Sequence, residues 1–429
     1  MSQAPGQNRG QNNEAWIELS AIVGPEHLRP ATAADAVDAV QPSGVIAPGS
    51  AQEVAHVLRY CNSAGLAVIP RGGGSQLGLG NRPRKADFIL SLERLNRVIE
   101  HAWGDMTVTV EAGCTIDRLQ CVLREHGQQL GADPMQPERA TVGGVLATAE
   151  SGTMRIRYGA LRDLVLGLEM ALPDGSVIKA GGKVVKNVAG YDLTKLAIGS
   201  LGTLGVITRA VFRLHPIRAA IGTYAATLPT ASAAAKLVLA ILDSPLVYTG
   251  LQMHARRADQ VLVHVRFDGI PESIQDQFVK LGRIAGAHEF AECAGEVWAE
   301  RQKLFVNAAS SVICKCSVLP SQIGSLCDAL FRQAEPAEVA VTLLAQGTGL
   351  TEVRLDAAGL QPLMIALRAL RGEVDRLEGT LTVAQCPIAM KGDLDVWGTV
   401  KDALPLMHRI KQKFDPGQTL NPGRFVGGI

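Results

Sequence analysis

A chain of 429 residues is too long for one ordinary hydrophobic core and implies two domains, and its apolar fraction of 47% is that of a globular protein. Lys+Arg 42 against Asp+Glu 41 leaves no basic field of the kind that nucleic acid or an anionic membrane selects, which argues against both as direct partners. No run reaches the roughly 18 apolar residues of a membrane span, and residues 1–13 are polar without a signal-like apolar stretch, so the expected location is cytoplasmic.

Residues 1–20 read as a polar tail. In "GVIAPGSAQEVAHVLRYCNSAGLAVIP" the pattern is strand, helix, strand: residues 44–47 extended, Ser50 capping an amphipathic helix over 51–63, then 67–69 extended. The glycine-dense "VIPRGGGSQLGLG", residues 68–80, follows directly. Next come a strand, an alternating strand at 107–111 and a helix at about 116–126. Residues 141–216 are glycine-punctuated and rich in strand formers, with "PDGS" at 173–176 predicting a hairpin between 164–172 and 177–180. From about residue 219 glycine thins out, and alanine-rich helices alternate with strands such as "QVLVHVRF", which marks a second domain to about residue 400. The last segment, 401–429, holds the loop "FDPGQTLNPGRF".

The eight cysteines have neither the density of a disulfide scaffold nor the CxxC clusters of zinc or iron–sulfur sites, so no metal is expected. Cys314 and Cys316 share one face of a predicted strand, and Cys114 and Cys121 read as core.

Glycine loses conformational entropy on folding, and a run of it is retained where backbone turns with positive φ or approaches a ligand closely. Two phosphate loops fail on residues. "RGGGSQLGLG" lacks the GK[ST] end of Walker A, and it departs from GxGxxG with no acidic residue about 20 positions on. What remains is a nest of N–H groups converging on a diphosphate, with Arg71 or Ser75 adding donors.

"IPRGGGSQLGLG", "TVGGVLATAESG", "RYGALRDLVLGLEMALPDG", "KNVAGYDLTKLAIGSLGTLGVIT" and "FDPGQTLNPGRF" resemble, in order and spacing, the vanillyl-alcohol oxidase or p-cresol methylhydroxylase type of FAD-binding fold. Within it the resemblance is greatest to the FAD-binding E subunits of glycolate oxidase (glycolate dehydrogenase) complexes. It implies an α+β protein: a two-part FAD-binding domain over 21–218, a second α+β domain built on an antiparallel sheet over 219–400, and a C-terminal segment returning to the FAD site. It places the diphosphate on Arg71, Gly72, Gly73, Gly74 and Ser75, with Gly78, Leu79 and Gly80 closing the loop. Thr141, Val142, Gly143, Gly144 and Thr148 are expected along the flavin ring and ribityl chain. Gly152, Arg157, Tyr158, Gly159 and Asp163 are expected near the diphosphate and ring, Gly205, Val206 and Ile207 near the adenine, and Asn421 at the same cofactor. Ser75 stands where a linking His occurs in relatives, and Val145 rather than Cys follows Gly144, so the FAD is expected to be non-covalent.

Relatives that oxidise 2-hydroxy acids carry an HxGDGNxH-type segment that this sequence lacks. Its nearest stretch is "LLAQGTGLTEVRL", with Gln346 as a polar handle. His254 and His264 read as packed or surface residues, and Arg301 and Lys391 are the cations suited to a substrate carboxylate, against the plainer reading of Arg301 as an exposed helix charge. Three functions stay open at this stage: a glycolate-type dehydrogenase subunit, an FAD electron-relay or structural subunit beside a homologous flavoprotein, and a stand-alone FAD-dependent oxidase of another small alcohol. The first two imply an iron–sulfur subunit as electron acceptor and contact with the inner membrane through partners alone.

Overall fold

The computed structural model describes residues 7–183, 192–392, 394–398, 400 and 402–429. The opening of the motif at 186–208, residues 186–191, and Met1 to Gly6 of the expected tail lie outside the described residues.

Part of that tail is a correction. Gln7–Val23 is helical, and Ala15, Leu19 and Val23 are buried while Trp16 meets Phe88 edge-on at 6.1 Å. Burial of one helix face overrides a composition that looks polar in sequence.

The FAD-type region contains two sheets over one core. The first has the spatial order Leu28–Pro30, Gly44–Ile46, Phe88–Ser91, Val68–Arg71, with the last three parallel. Helix Ala51–Ser63 joins Gly44–Ile46 to Val68–Arg71, and the Ser50 hydroxyl accepts the Glu53 N–H at 3.1 Å, as expected of its cap. The second sheet is antiparallel, in the order Val98–Ala102, Thr107–Glu111, Val206–Arg213, Val165–Ala171, Val177–Gly181. Its last pair is the hairpin expected from "PDGS", with Asp174 accepting the Ser176 N–H at 2.8 Å. Ile46, Val54, Val68 and Phe88 of the first layer share a core with Val110, Leu168 and Phe212 of the second. Cys114 is buried there; Cys121 is exposed, on the outer face of its helix, contrary to the core reading.

Residues from 220 onward build an eight-stranded antiparallel sheet among the described residues, in the order Ala291–Glu292, Ala220–Leu228, Gln260–Gly269, Gly250–Arg257, Ala340–Gln346, Leu350–Asp356, Val312–Ser317, Thr380–Gln385. Because side chains alternate along strands, its two faces differ. Leu251, Met253, Val263, Leu343, Val353, Cys314 and Cys316 pack one face against helices Ala231–Leu242, Ile323–Ala334 and Leu360–Arg376. The other face is polar.

The C-terminal segment returns to the first sheet. The Val68 N–H donates to the Thr419 carbonyl at 2.7 Å, and the Asn421 N–H to the Val68 carbonyl at 3.0 Å, so the end of the chain runs beside the strand that launches the glycine loop.

Candidate cofactor and substrate site

Strand Val68–Arg71 delivers the loop beneath residues 139–144, and the contact is too close for any side chain. A Cβ on Gly72 would lie 2.0 Å from Thr141 Oγ1, and one on Gly73 would lie 1.8 Å from the Arg139 carbonyl oxygen. Of the three consecutive glycines only Gly74 has positive φ, at +73°. Close approach therefore demands glycine at 72 and 73, and conformation demands it at 74.

Among the described residues, the backbone N–H groups of residues 72–76 meet no acceptor. They border a cleft between the glycine loop, helix Val142–Ala147 and the C-terminal segment. Arg71, Gly72, Gly73, Gly74 and Ser75 form one wall. Thr141, Gly143, Gly144 and Thr148, on and around helix Val142–Ala147, form the second, while Gly205, Val206, Ile207 and Asn421 complete it. Thr141 caps that short helix, its hydroxyl accepting from the Gly144 N–H. Arg71 donates to Asp35 at 2.8 Å, and Asp35 also binds Arg29 through both carboxylate oxygens; the Arg29 hydrogen bonds, then those of Thr32 and Arg71, hold the Asp35 carboxyl well below the usual carboxylate range. Asp35 thus remains ionised and fixes the Arg71 guanidinium at the cavity edge.

Other expected residues lie elsewhere. Val142 is fully buried on the core side of its helix. Gly152 packs against Asp133, its hypothetical Cβ 1.9 Å from Oδ1, and Asp163 accepts the Ala160 N–H at 2.9 Å beside Gly159, whose φ is +84°. Arg157 and Tyr158 line a different cavity with His215 and Arg218. The structure separates this group from the glycine-loop cavity because the chain between Ser151 and Gly159 turns toward the second domain.

Gly78, Leu79 and Gly80 sit behind the loop, held by two buried cations. Lys391 Nζ donates to the Gly78 and Gly80 carbonyls at 2.6 and 3.1 Å and to both oxygens of Asp38 at 2.8 Å. Arg424 Nη2 donates to the carbonyls of Leu77 and Leu79. The expectation that Lys391 holds a substrate carboxylate meets a side chain that already faces the loop. Arg301 is likewise 3% exposed rather than an exposed helix charge. It donates to Glu352 at 2.7 Å, to the Ser151 carbonyl at 2.8 Å and to the Asp133 carbonyl at 3.2 Å, joining the second domain to the segments on either side of helix Val142–Ala147. Arg424, Ala147 and Gly202 also line the cavity and were not singled out from sequence, although Arg424 lies inside the quoted terminal motif.

Glu352 belongs to the polar sheet face, where the Gln252 amide donates to the Val297 carbonyl at 3.2 Å and His264 meets Trp298 edge-on. Cross-strand register sets His264 opposite Gln252, Gln252 opposite Gln346, and both His254 and Glu352 opposite Leu344. His264, Gln252, Gln346, His254 and Glu352 are all buried. Among the described residues, Gln252 Oε1, both amide atoms of Gln346, His254 Nε2, His264 Nδ1 and Glu352 Oε2 have no partner, an unusual concentration for a folded interior. Burial pushes both histidines toward the neutral form, His264 down to about 4 with repulsion from His254 adding to it.

The unpaired N–H row and the absence of a side chain at Gly144 fit an FAD, whose diphosphate takes amide donors and whose flat ring needs small neighbours; Gly143 lines the same cavity, its missing side chain leaving room for Ala112. The chain is an FAD-binding protein with the fold of p-cresol methylhydroxylase. A family model for the FAD binding domain matches residues 42–181. Over 97% of both chains, p-cresol methylhydroxylase superposes with a TM-score of 0.78 at 15% identity. The glycolate oxidase resemblance holds as well: glycolate oxidase subunit GlcD of Bacillus subtilis is 27% identical over 95% of this chain and 96% of its own. A mitochondrial cytochrome-type D-lactate dehydrogenase of Arabidopsis thaliana is 27% identical over 90% and 73%.

Proposed function

We propose that this chain is an FAD-dependent oxidoreductase of small 2-hydroxy acids, working as a subunit of a glycolate oxidase-type complex with a homologous flavoprotein and an iron–sulfur subunit. The observation that carries this reading is the glycine-walled cavity within the FAD-binding domain, which Arg301 ties through Glu352 to a buried sheet face carrying unpaired amides and imidazoles. FAD, when bound, supplies the hydride acceptor. Arg71 and the amides of residues 72–76 hold its diphosphate, and Gly143 and Gly144 admit its ring. Gln346 offers a donor and an acceptor and Gln252 its Oε1 to a polar substrate, and the neutral His254 Nε2 and His264 Nδ1 are the acceptors available for a hydroxyl proton. Burial of the whole row excludes water from it. No His, Cys or Tyr lines the glycine-loop cavity among the described residues, which supports non-covalent attachment. Acid precipitation should therefore leave FAD in the supernatant; flavin retained on the denatured chain would contradict it.

Anaerobic mixing with glycolate, D-lactate or another small 2-hydroxy acid should bleach the flavin. Absence of bleaching, alone and with partner subunits present, would overturn the reading. Stoichiometric hydrogen peroxide from a sugar alcohol would instead favour a stand-alone oxidase. A second reading, an electron-relay or structural subunit, is favoured by one observation: Arg301 and Lys391, the cations suited to a carboxylate, already have carboxylate partners in Glu352 and Asp38. Bleaching only in the assembled complex would select it. No helix among the described residues is long and apolar enough to cross a membrane, so contact with one is proposed through partners.

A further inference from the structure

Four cations are buried among the described residues: Arg301, Lys391, Lys411 and Arg424. Three have a carboxylate against them, Glu352 at 2.7 Å, Asp38 at 2.8 Å and Asp415 at 2.6 Å. Arg424, 2% exposed, has none within 4 Å among the described residues. Its contacts are neutral: the carbonyls of Leu77 and Leu79 and, at 3.2 Å, Asn421 Oδ1. Its Nε is buried with no acceptor at all. Burial pulls its pKa to about 10, opposed by the charge of Asp38 beyond 4 Å, so the group stays charged at neutral pH. A desolvated guanidinium with no carboxylate in contact is unfavourable, and a fold tolerates it where a ligand brings the missing contact charge.

Arg424 lines the glycine-loop cavity together with residues 72–76, whose amides are unpaired among the described residues. We propose that Arg424 is a diphosphate-binding residue whose missing counter-charge is the anionic diphosphate of FAD, and that Lys391 is the positioning residue that makes this possible. The inference rests on the FAD reading above. Lys391 and Arg424 divide the loop's carbonyls between them, Gly78 and Gly80 to the lysine, Leu77 and Leu79 to the arginine. Asp38 neutralises the lysine and leaves the arginine as the cation with charge to spare. The second domain, which supplies Lys391, thereby sets the geometry in which a C-terminal arginine meets a cofactor bound by the N-terminal half.

The test uses the full chain stripped of flavin and titrated with FAD and, separately, with riboflavin, which has no phosphate. Quenching of flavin fluorescence gives the affinities, and thermal unfolding is followed with and without FAD. Arg424→Met should weaken FAD by tenfold to a hundredfold, the usual loss of a charge-assisted hydrogen bond, and shrink the FAD-induced rise in unfolding temperature, while riboflavin affinity stays within twofold. Arg424→Lys, which keeps the charge but not the planar fork, should recover part of the loss. Lys391→Met should raise the FAD dissociation rate, and Lys391→Arg should restore it. FAD affinity unchanged in Arg424→Met, equal losses for FAD and riboflavin, or Arg424→Lys as weak as Arg424→Met would each overturn the proposal. If Arg424→Met does not fold, the lysine variant still decides. Failure of the unaltered chain to bind FAD would instead sink the FAD reading itself.

Discussion

His264 shows what burial does to a single ring. It is 2% exposed, and burial first, then repulsion from His254, push its pKa down to about 4, with Glu300 pulling weakly the other way. In the unfolded chain the same ring titrates near 6.5. The folded value lies below the unfolded one, so the unfolded chain takes up the proton first as pH falls. The stability that depends on the neutral ring is complete above about pH 6.5 and is lost between there and about pH 4. Between pH 7 and pH 5 that loss is about 2 kcal/mol for this residue. Urea unfolding at the two pH values should show His264→Gln losing correspondingly less than the unaltered protein, and an equal loss in both would show that the folded chain protonates His264 as readily as the unfolded one. Nothing in "QVLVHVRF" distinguishes this histidine from a surface one; its neutrality follows from strands that meet it only in the fold.

At the scale of elements, the glycine loop separates two reasons for one residue type. Gly73 has ordinary backbone but no room, because the Arg139 carbonyl would sit 1.8 Å from a Cβ, whereas Gly78 has open space around it and no positive φ. Gly73→Ala should move the loop away from residues 139–141 and weaken FAD by at least tenfold, about 1.4 kcal/mol. Gly78→Ala should leave affinity within twofold. Equal effects of the two substitutions, measured by FAD titration, would show that the loop does not depend on its contact with residues 139–141. The sequence marks the run but not this difference, since the residues that forbid a side chain at 72 and 73 lie about 70 positions away in the chain. The cap of helix Ala51–Ser63 is legible for the opposite reason: Ser50 acts on a residue three positions on.

For the whole molecule, Arg301 is the joint. It reaches Glu352 on the polar sheet face and the carbonyls of Asp133 and Ser151 in the FAD-binding region. Arg301→Met leaves a buried carboxylate unpaired and should cost about 3–5 kcal/mol, and adding Glu352→Gln should recover much of that, because the penalty belongs to the unpaired charge. Denaturant unfolding of the single and double variants reads this directly; a double variant no more stable than Arg301→Met would show that the ion pair is not the source. Flavin reduction separates the two functional readings. If the chain oxidises the acid itself, Gln346→Leu, which removes an amide with both atoms unpaired, should slow reduction by tenfold or more, and if it is a relay the electron flow of the assembled complex should survive.

The sequence by itself determined what depends on near neighbours: the first strand, helix, strand succession, the hairpin at "PDGS", the cluster of motifs that marks an FAD-binding fold, and the cavity residues that lie within those motifs. The change of composition near residue 219 falls beside Ala220, where the eight-stranded sheet begins. Only the tertiary structure decided the destinations of the charged side chains. Lys391 reads as a substrate cation until Asp38 and the carbonyls of Gly78 and Gly80 are brought to it from more than 300 positions away. Arg157 and Tyr158 belong with the flavin motifs in sequence and with His215 and Arg218 in space. The physical reason is the same in each case: a charge is placed by whatever compensates it, and in this protein the compensating groups lie on other elements.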